Sequence, residues 1–147
     1  MGGEVPGSGK QNTVDYITIA STGNAIDFGD LVNTPQYFGG AANTVTAIAG
    51  GGTPTNAGGA VDVIQERTIA STGNFSDFGD LSQALWEISA ASSSTRVLFG
   101  GGTDTSSVKI DVIQYITIAS AGNAVDFGDL LQITASMASA SAVQGNL

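Results

Sequence analysis

The sequence predicts an all-β protein made of three repeats of about 49 residues, and three observations predict it. The first is repetition. Residues 16–31 (YITIASTGNAIDFGDL) and 115–130 (YITIASAGNAVDFGDL) differ only at Thr22/Ala121 and Ile26/Val125, and residues 66–81 (ERTIASTGNFSDFGDL) stand between them. Their turn glycines fall at 23, 73 and 122, and a second block, TVTAIAGGGT at 44–53, returns as STRVLFGGGT at 94–103. Self-similarity at a fixed period marks a repeat architecture. The second observation is that the segments between glycines alternate or run apolar and are rich in β-branched and aromatic residues, which suit a pleated surface. The third is that glycine pairs and triplets at 2–3, 39–40, 50–52, 58–59 and 100–102 punctuate the chain, which counts against a helical reading. Residues 1–147 thus read as a single repeat domain with units of approximately 1–49, 50–99 and 100–147. The chain enters partway through a unit: sliding by 99 places Gly2, Gly3, Lys10 and Tyr16 on Gly101, Gly102, Lys109 and Tyr115.

Each element of the unit has its own reason. YITIA is a strand, and the Ser-Thr-Gly-Asn that follows is a turn in which Gly and Asn tolerate positive φ. The next strand carries Phe28, Phe78 and Phe127, then Leu31, Leu81 and Leu130, apolar in every copy and expected to be equivalently buried. Val45–Ala49 and Thr95–Phe99 are short apolar runs of the kind found in inner strands. Glycine triplets at 50–52 and 100–102 end them, permitting close backbone approach or a bulge. The tail Ala135–Ala142 (ASMASASA) tolerates helix by composition, but the phase of the repeat makes it a strand.

Composition removes several function classes. Four Lys and Arg face thirteen Asp and Glu, a net charge of −9, so the basic footprint of a nucleic-acid binder is missing and attraction to anionic lipid is disfavoured. With 41% hydrophobic and 12% charged residues the chain is too apolar to be disordered. Neither His nor Cys occurs, which removes disulfides, thiolate and imidazole chemistry, Ser-His-Asp devices and the common zinc sites. No run approaches a membrane span, and Met1-Gly-Gly-Glu-Val-Pro has neither a secretory signal nor the myristoylation pattern, since Pro6 stands where Ser or Thr is needed.

A period near 50 with about four strands per unit suits a propeller blade. The order of apolar strand, glycine triplet, variable loop, Tyr-bearing strand and aromatic-x-x-Leu strand resembles a degenerate kelch repeat, with Phe28-Gly29-Asp30-Leu31 as its last element. More closely, YITIASTGNAxDFGDL followed by S-S-T-R-x-x-F-G-G-G resembles the kelch-like repeats of virion proteins of marine tailed phages, especially cyanophages. That resemblance spans all three units. It implies a virion location and other virion proteins as partners. Two features depart from it: the Arg usual after DFGDL is missing from Leu31-Val-Asn-Thr-Pro-Gln and its copies, and three units are fewer than the four to eight blades of a propeller. Closure has three solutions: two chains forming a six-bladed ring, one chain closing as a three-fold β-trefoil or β-prism, or units stacking into a fibre or lattice. The third unit is short of an inner strand, and that unpaired edge leads to the expectation of a homo-oligomer or lattice component.

Candidate chemistry is sparse. Asp27/Asp30, Asp77/Asp80 and Asp126/Asp129 recur as D-F-G-D; such pairs can ligate calcium or act as acid and base. Their recurrence with the repeat points instead to turn carboxylates accepting backbone hydrogen bonds, so no cofactor is expected, calcium being the one alternative. Gly7-Ser8-Gly9-Lys10 fails the phosphate-loop pattern at Glu4 and Gln11 and reads as a flexible loop. Trp86 and the tyrosines 16, 37 and 115 are potential sugar-stacking platforms; Trp86, with Gln36 and Ala135 in register, is the candidate glycan contact because it is unique to one copy. The expected function is that of a non-enzymatic structural or adhesive virion protein: a capsid decoration protein, head fibre or tail-fibre module. The alternative is a lectin-like carbohydrate-binding module contacting a host surface glycan.

Overall fold

The computed structural model describes residues 2–5, 7, 9–54 and 59–141, and all regular structure among them is antiparallel β with no helix. Two short hairpins open the chain: β1 (Gly3–Val5) with β2 (Gly9–Gln11), then β3 (Thr13–Tyr16) with β4 (Ile26–Asp30). Next come β5 (Gly39–Ala42), β6 (Thr46–Gly50), β7 (Val61–Thr68) and β8 (Ser76–Trp86), a four-stranded meander to whose outer edge β11 (Thr103–Asp104) is added. A second meander follows from β9 (Ser89–Ser92), β10 (Arg96–Gly100), β12 (Val112–Thr117) and β13 (Val125–Asp129).

The repeat read from the sequence is a repeat in space. Hairpins β3–β4, β7–β8 and β12–β13 shift register at Val14/Asp15, Ile64/Gln65 and Ile113/Gln114, the same position in each copy. The amides of Gly2, Gly51 and Gly101 donate to the carbonyls of Thr13, Val63 and Val112 at 2.9, 3.1 and 3.0 Å, which places the N-terminal glycines in register with the two triplets. The triplets are needed for space: a Cβ on Gly51 would lie 2.7 Å from the Leu85 carbonyl oxygen, and one on Gly101 would lie 2.5 Å from that of Thr134. Tyr37, Glu87 and Ser136 occupy one further shared position, all with left-handed φ (59°, 55° and 56°). Three unlike residue types hide that turn from the sequence.

The apolar runs are central strands. Strand β6 pairs with β5 and β7, strand β10 with β9 and β12, and Ile48, Val97 and Phe99 are fully buried. The edge strands β5 and β9 are built from small residues because the two sheets approach each other there: a Cβ on Gly39 would come within 3.0 Å of the Ala90 Cβ. The Ser92 hydroxyl donates to the Ala42 carbonyl at 2.6 Å, and the Ser92 amide donates to Ser141 Oγ at 2.8 Å. Ser139 likewise donates to the Ala90 carbonyl.

Three sequence expectations are corrected. Residues 135–141 track β9 through these serine contacts but form no strand, because no neighbouring strand among the described residues pairs with them; Ala142 lies outside those residues. Gly9 and Lys10 are not loop residues but belong to β2, paired with β1, and Lys10 Nζ donates to the Pro54 carbonyl at 2.9 Å; Ser8 lies outside the described residues. The phenylalanines are not equally buried: Phe78 is 4% exposed, Phe28 is half-buried and Phe127 is 54% exposed. Leu31 and Leu81 are buried, Leu130 only partly. Phe78 is the copy that shares a core with Ile116 and Ile118, and no such cover lies over Phe127 among the described residues.

Candidate functional site

Two features stand out on this scaffold: the joint between successive units, and a polar pocket around Trp86. At the joint, the Ser-Thr-Gly-Asn turn of one unit docks on the D-F-G-D strand of the unit before it. The Gly73 amide donates to the Phe28 carbonyl at 2.6 Å and the Phe75 amide to the Asp30 carbonyl at 2.8 Å. The Asn74 Oδ1 accepts from the Asp30 amide at 3.0 Å. One period later, Gly122 donates to Phe78 at 2.9 Å, Ala124 to Asp80 at 2.8 Å, and Asn123 accepts from Asp80 at 3.1 Å. Glycine is required in the D-F-G-D strand because the docked turn leaves no room. A Cβ on Gly29 or Gly79 would lie 2.3 or 2.4 Å from the carbonyl oxygen of Gly73 or Gly122. Buried glutamines seal each joint: Gln65 Oε1 accepts from the Val32 amide and Gln114 Oε1 from the Ser82 amide, both at 2.7 Å.

The six D-F-G-D carboxylates do not do what the sequence suggests. Among the described residues none of them accepts a hydrogen bond; the backbone amides of Asp30 and Asp80 are the bonded groups, and the asparagine of the next turn is the acceptor. No group of three or more acidic side chains able to hold a metal occurs among the described residues. The carboxylate that does cap a turn is Asp104, which accepts from the amides of Ser106 and Val108 at 2.8 and 2.9 Å.

Trp86 ends β8, where Thr103 pairs with it across the sheet edge. Its ring meets Tyr37 edge to face at 5.8 Å, and Thr53, Asp104, Thr105 and Ser107 complete an open polar pocket of about 270 Å³. The other tyrosines are spent on packing. Tyr16 and Tyr115 each stand edge-on to the phenylalanine across their hairpin, both at 6.0 Å, and Arg96 lies 4.5 Å over Tyr115. Tyr37 was the one to join Trp86, and its left-handed backbone presents it there. A larger apolar groove of about 410 Å³, lined by Val14, Tyr16, Phe28, Ala47, Ile69 and Phe75, runs beside β3. Strands β7 and β12 each have a second partner, β6 and β10, whereas β3 pairs only with β4 among the described residues. The groove lies on the hairpin that lacks this partner.

No helix among the described residues is long and apolar enough to cross a membrane. Compared with known families and curated proteins, the chain matches no family model and no characterised sequence.

Proposed function

We propose that this chain is a non-enzymatic structural or adhesive protein of a phage particle, built from kelch-like, propeller-type blades and acting through contacts with itself and with other virion proteins. The observation that carries the reading is the joint: the same turn-on-strand bonds recur between units, so most of the repeated sequence is devoted to joining modules. The four-stranded meanders, with glycine, alanine and serine on the edge strands β5 and β9, support a blade-type arrangement over a trefoil or prism. The motif resemblance to marine-phage repeats supplies the virion location. Mass spectrometry of density-purified particles from a phage carrying this sequence is the test. The chain should be present at a stoichiometry set by particle symmetry; its absence from intact particles would overturn the assignment.

A carbohydrate-binding role is the second reading, favoured by Trp86. Its indole, beside Tyr37 and the oxygens of Asp104, Thr105 and Ser107, combines an apolar face with polar groups, as sugar rings require. Trp86 is the only tryptophan, so its fluorescence reports on the pocket directly. A saturable emission change on titration with host-surface glycans is the expected result, and calorimetry should show the binding lost in Trp86→Ala. A flat titration across a broad glycan panel sinks this reading.

A further inference from the structure

The chain holds both halves of a third joint, apart. The turn Ser21–Ala25 is exposed, and no hydrogen bond from another unit reaches Gly23 or Asn24 among the described residues. At the other end, a Cβ on Gly128 would meet nothing within 4 Å, although Gly128 shares the left-handed φ of Gly29 and Gly79 (141° against 143° and 152°). The socket has the shape of the two filled ones and stands open.

Identical sequences with opposite burial make the case sharper. YITIA occurs at 16–20 and at 115–119. In the second copy Ile116 and Ile118 are 2% and 8% exposed, in one core with Phe78 and Leu81 of the preceding unit. In the first copy the same residues, Ile17 and Ile19, are 60% and 94% exposed. The complementary face carries exposed Phe127 and half-buried Leu130, the counterparts of Phe78 and Leu81. One end therefore shows the apolar side chains that the other end lacks as a cover. Exposed apolar surface of this kind marks an interaction site, and the internal joints show what fits it.

We propose that the Ser21–Ala25 turn and the YITIA segment (16–20) of one copy dock on the Phe127–Leu131 segment, which begins in β13, of a second copy, remaking the joint that the chain already makes twice. Register assigns the partners. Gly23 N donates to the Phe127 carbonyl, Ala25 N donates to the Asp129 carbonyl, and Asn24 Oδ1 accepts from the Asp129 amide. Ile17 and Ile19 cover Phe127 and Leu130. Even the glutamine seal has a counterpart: Asp15 stands where Gln65 and Gln114 stand, and its carboxylate accepts from the Leu131 amide, which is in register with Val32 and Ser82. Because the contact joins unlike surfaces, each copy offers one turn and one strand. Association closes into a ring where the rotation allows and otherwise continues as a chain of copies. The proposal stands whether or not the protein belongs to a virion.

The test uses two exposed positions and the whole chain. Ile19→Glu disables the turn face and Phe127→Glu the strand face; circular dichroism checks that each variant stays folded. Sedimentation should show the wild type as an oligomer and each variant as a monomer. An equimolar mixture of the two variants should recover a dimer, since one supplies an intact strand and the other an intact turn. The milder Asn24→Ala, at an exposed turn, should weaken association roughly 5–10-fold through one lost hydrogen bond. A wild type that is monomeric at every concentration overturns the proposal. So do charge variants that keep the wild-type mass, or a mixture that stays monomeric.

Discussion

Truncating equivalent phenylalanines should give unequal costs, because the covering unit and not the repeat motif sets the energetics. Phe78 is 4% exposed and packs in one core with Ile116 and Ile118 of the following unit. Phe78→Ala removes the transfer energy of a buried ring and leaves a cavity between two sheets, so it should cost about 3–5 kcal/mol. Phe127 is 54% exposed, so about half of a full burial energy of roughly 2–3 kcal/mol is at stake, near 1 kcal/mol, and no opposing sheet remains to enclose a void. Both variants are best compared in the Ile19→Glu background, in which no second copy covers Phe127. With a urea m-value of roughly 2 kcal/mol/M, the midpoint should fall by about 2 M for Phe78→Ala and about 0.5 M for Phe127→Ala. Equal midpoint shifts would refute the reasoning, since they would mean that the ring is stabilised within its own hairpin.

Three further outcomes are expected. Asn74→Ala and Asn123→Ala should each lower stability by about 1 kcal/mol in urea titrations, because each deletes one side-chain acceptor at a joint; a neutral effect at both would show that the docked backbone alone holds it. Gln114→Leu should cost about 1–3 kcal/mol, since the Ser82 amide loses its acceptor at a fully buried side chain, whereas Gln83→Ala on the exposed side of β8 should leave the midpoint within about 0.5 kcal/mol of wild type. Thermal melts in chelator and in excess calcium should superimpose, because the D-F-G-D carboxylates lie in pairs on separate hairpins; a calcium-dependent rise in melting temperature would reveal a ligand site by linkage.

Much of the architecture was legible because repetition substitutes for an alignment. Three copies of one string located the hairpins, and the glycine triplets marked where strands must approach closely. The register of Gly2-Gly3 with Gly101-Gly102 followed from a slide of 99 residues and reappears as the Gly2 to Thr13 hydrogen bond. What the sequence hid were properties of context. Phe28, Phe78 and Phe127 are identical side chains whose burial depends on what packs over them: Phe78 shares a core with Ile116 and Ile118, whose counterparts in the middle copy are Arg67 and Ile69. Asp30 and Asp80 look like acceptors by residue type, yet their backbone amides carry the contact, which composition does not reveal. Residues 135–141 follow the phase of the repeat but lack a pairing neighbour, and a strand needs one. At the Trp86 pocket the tryptophan was visible as a copy-specific residue. Tyr37 joined it through a left-handed turn shared by Tyr, Glu and Ser, for which no residue pattern exists.

The equivalence of the two internal joints makes the middle of the molecule dispensable in principle. Excising one period in phase, so that Leu31 continues into Ser82, would bring the Gly122 turn opposite the Phe28 strand. The donor, acceptor and glycine there are those of the native pairings Gly73 with Phe28 and Gly122 with Phe78. Duplicating the same period would insert one more joint of the same kind. Length is therefore a quantity that can change by whole periods without new contacts having to be devised. Stability should then rise or fall stepwise with the number of joints, as in a one-dimensional array of nearest neighbours.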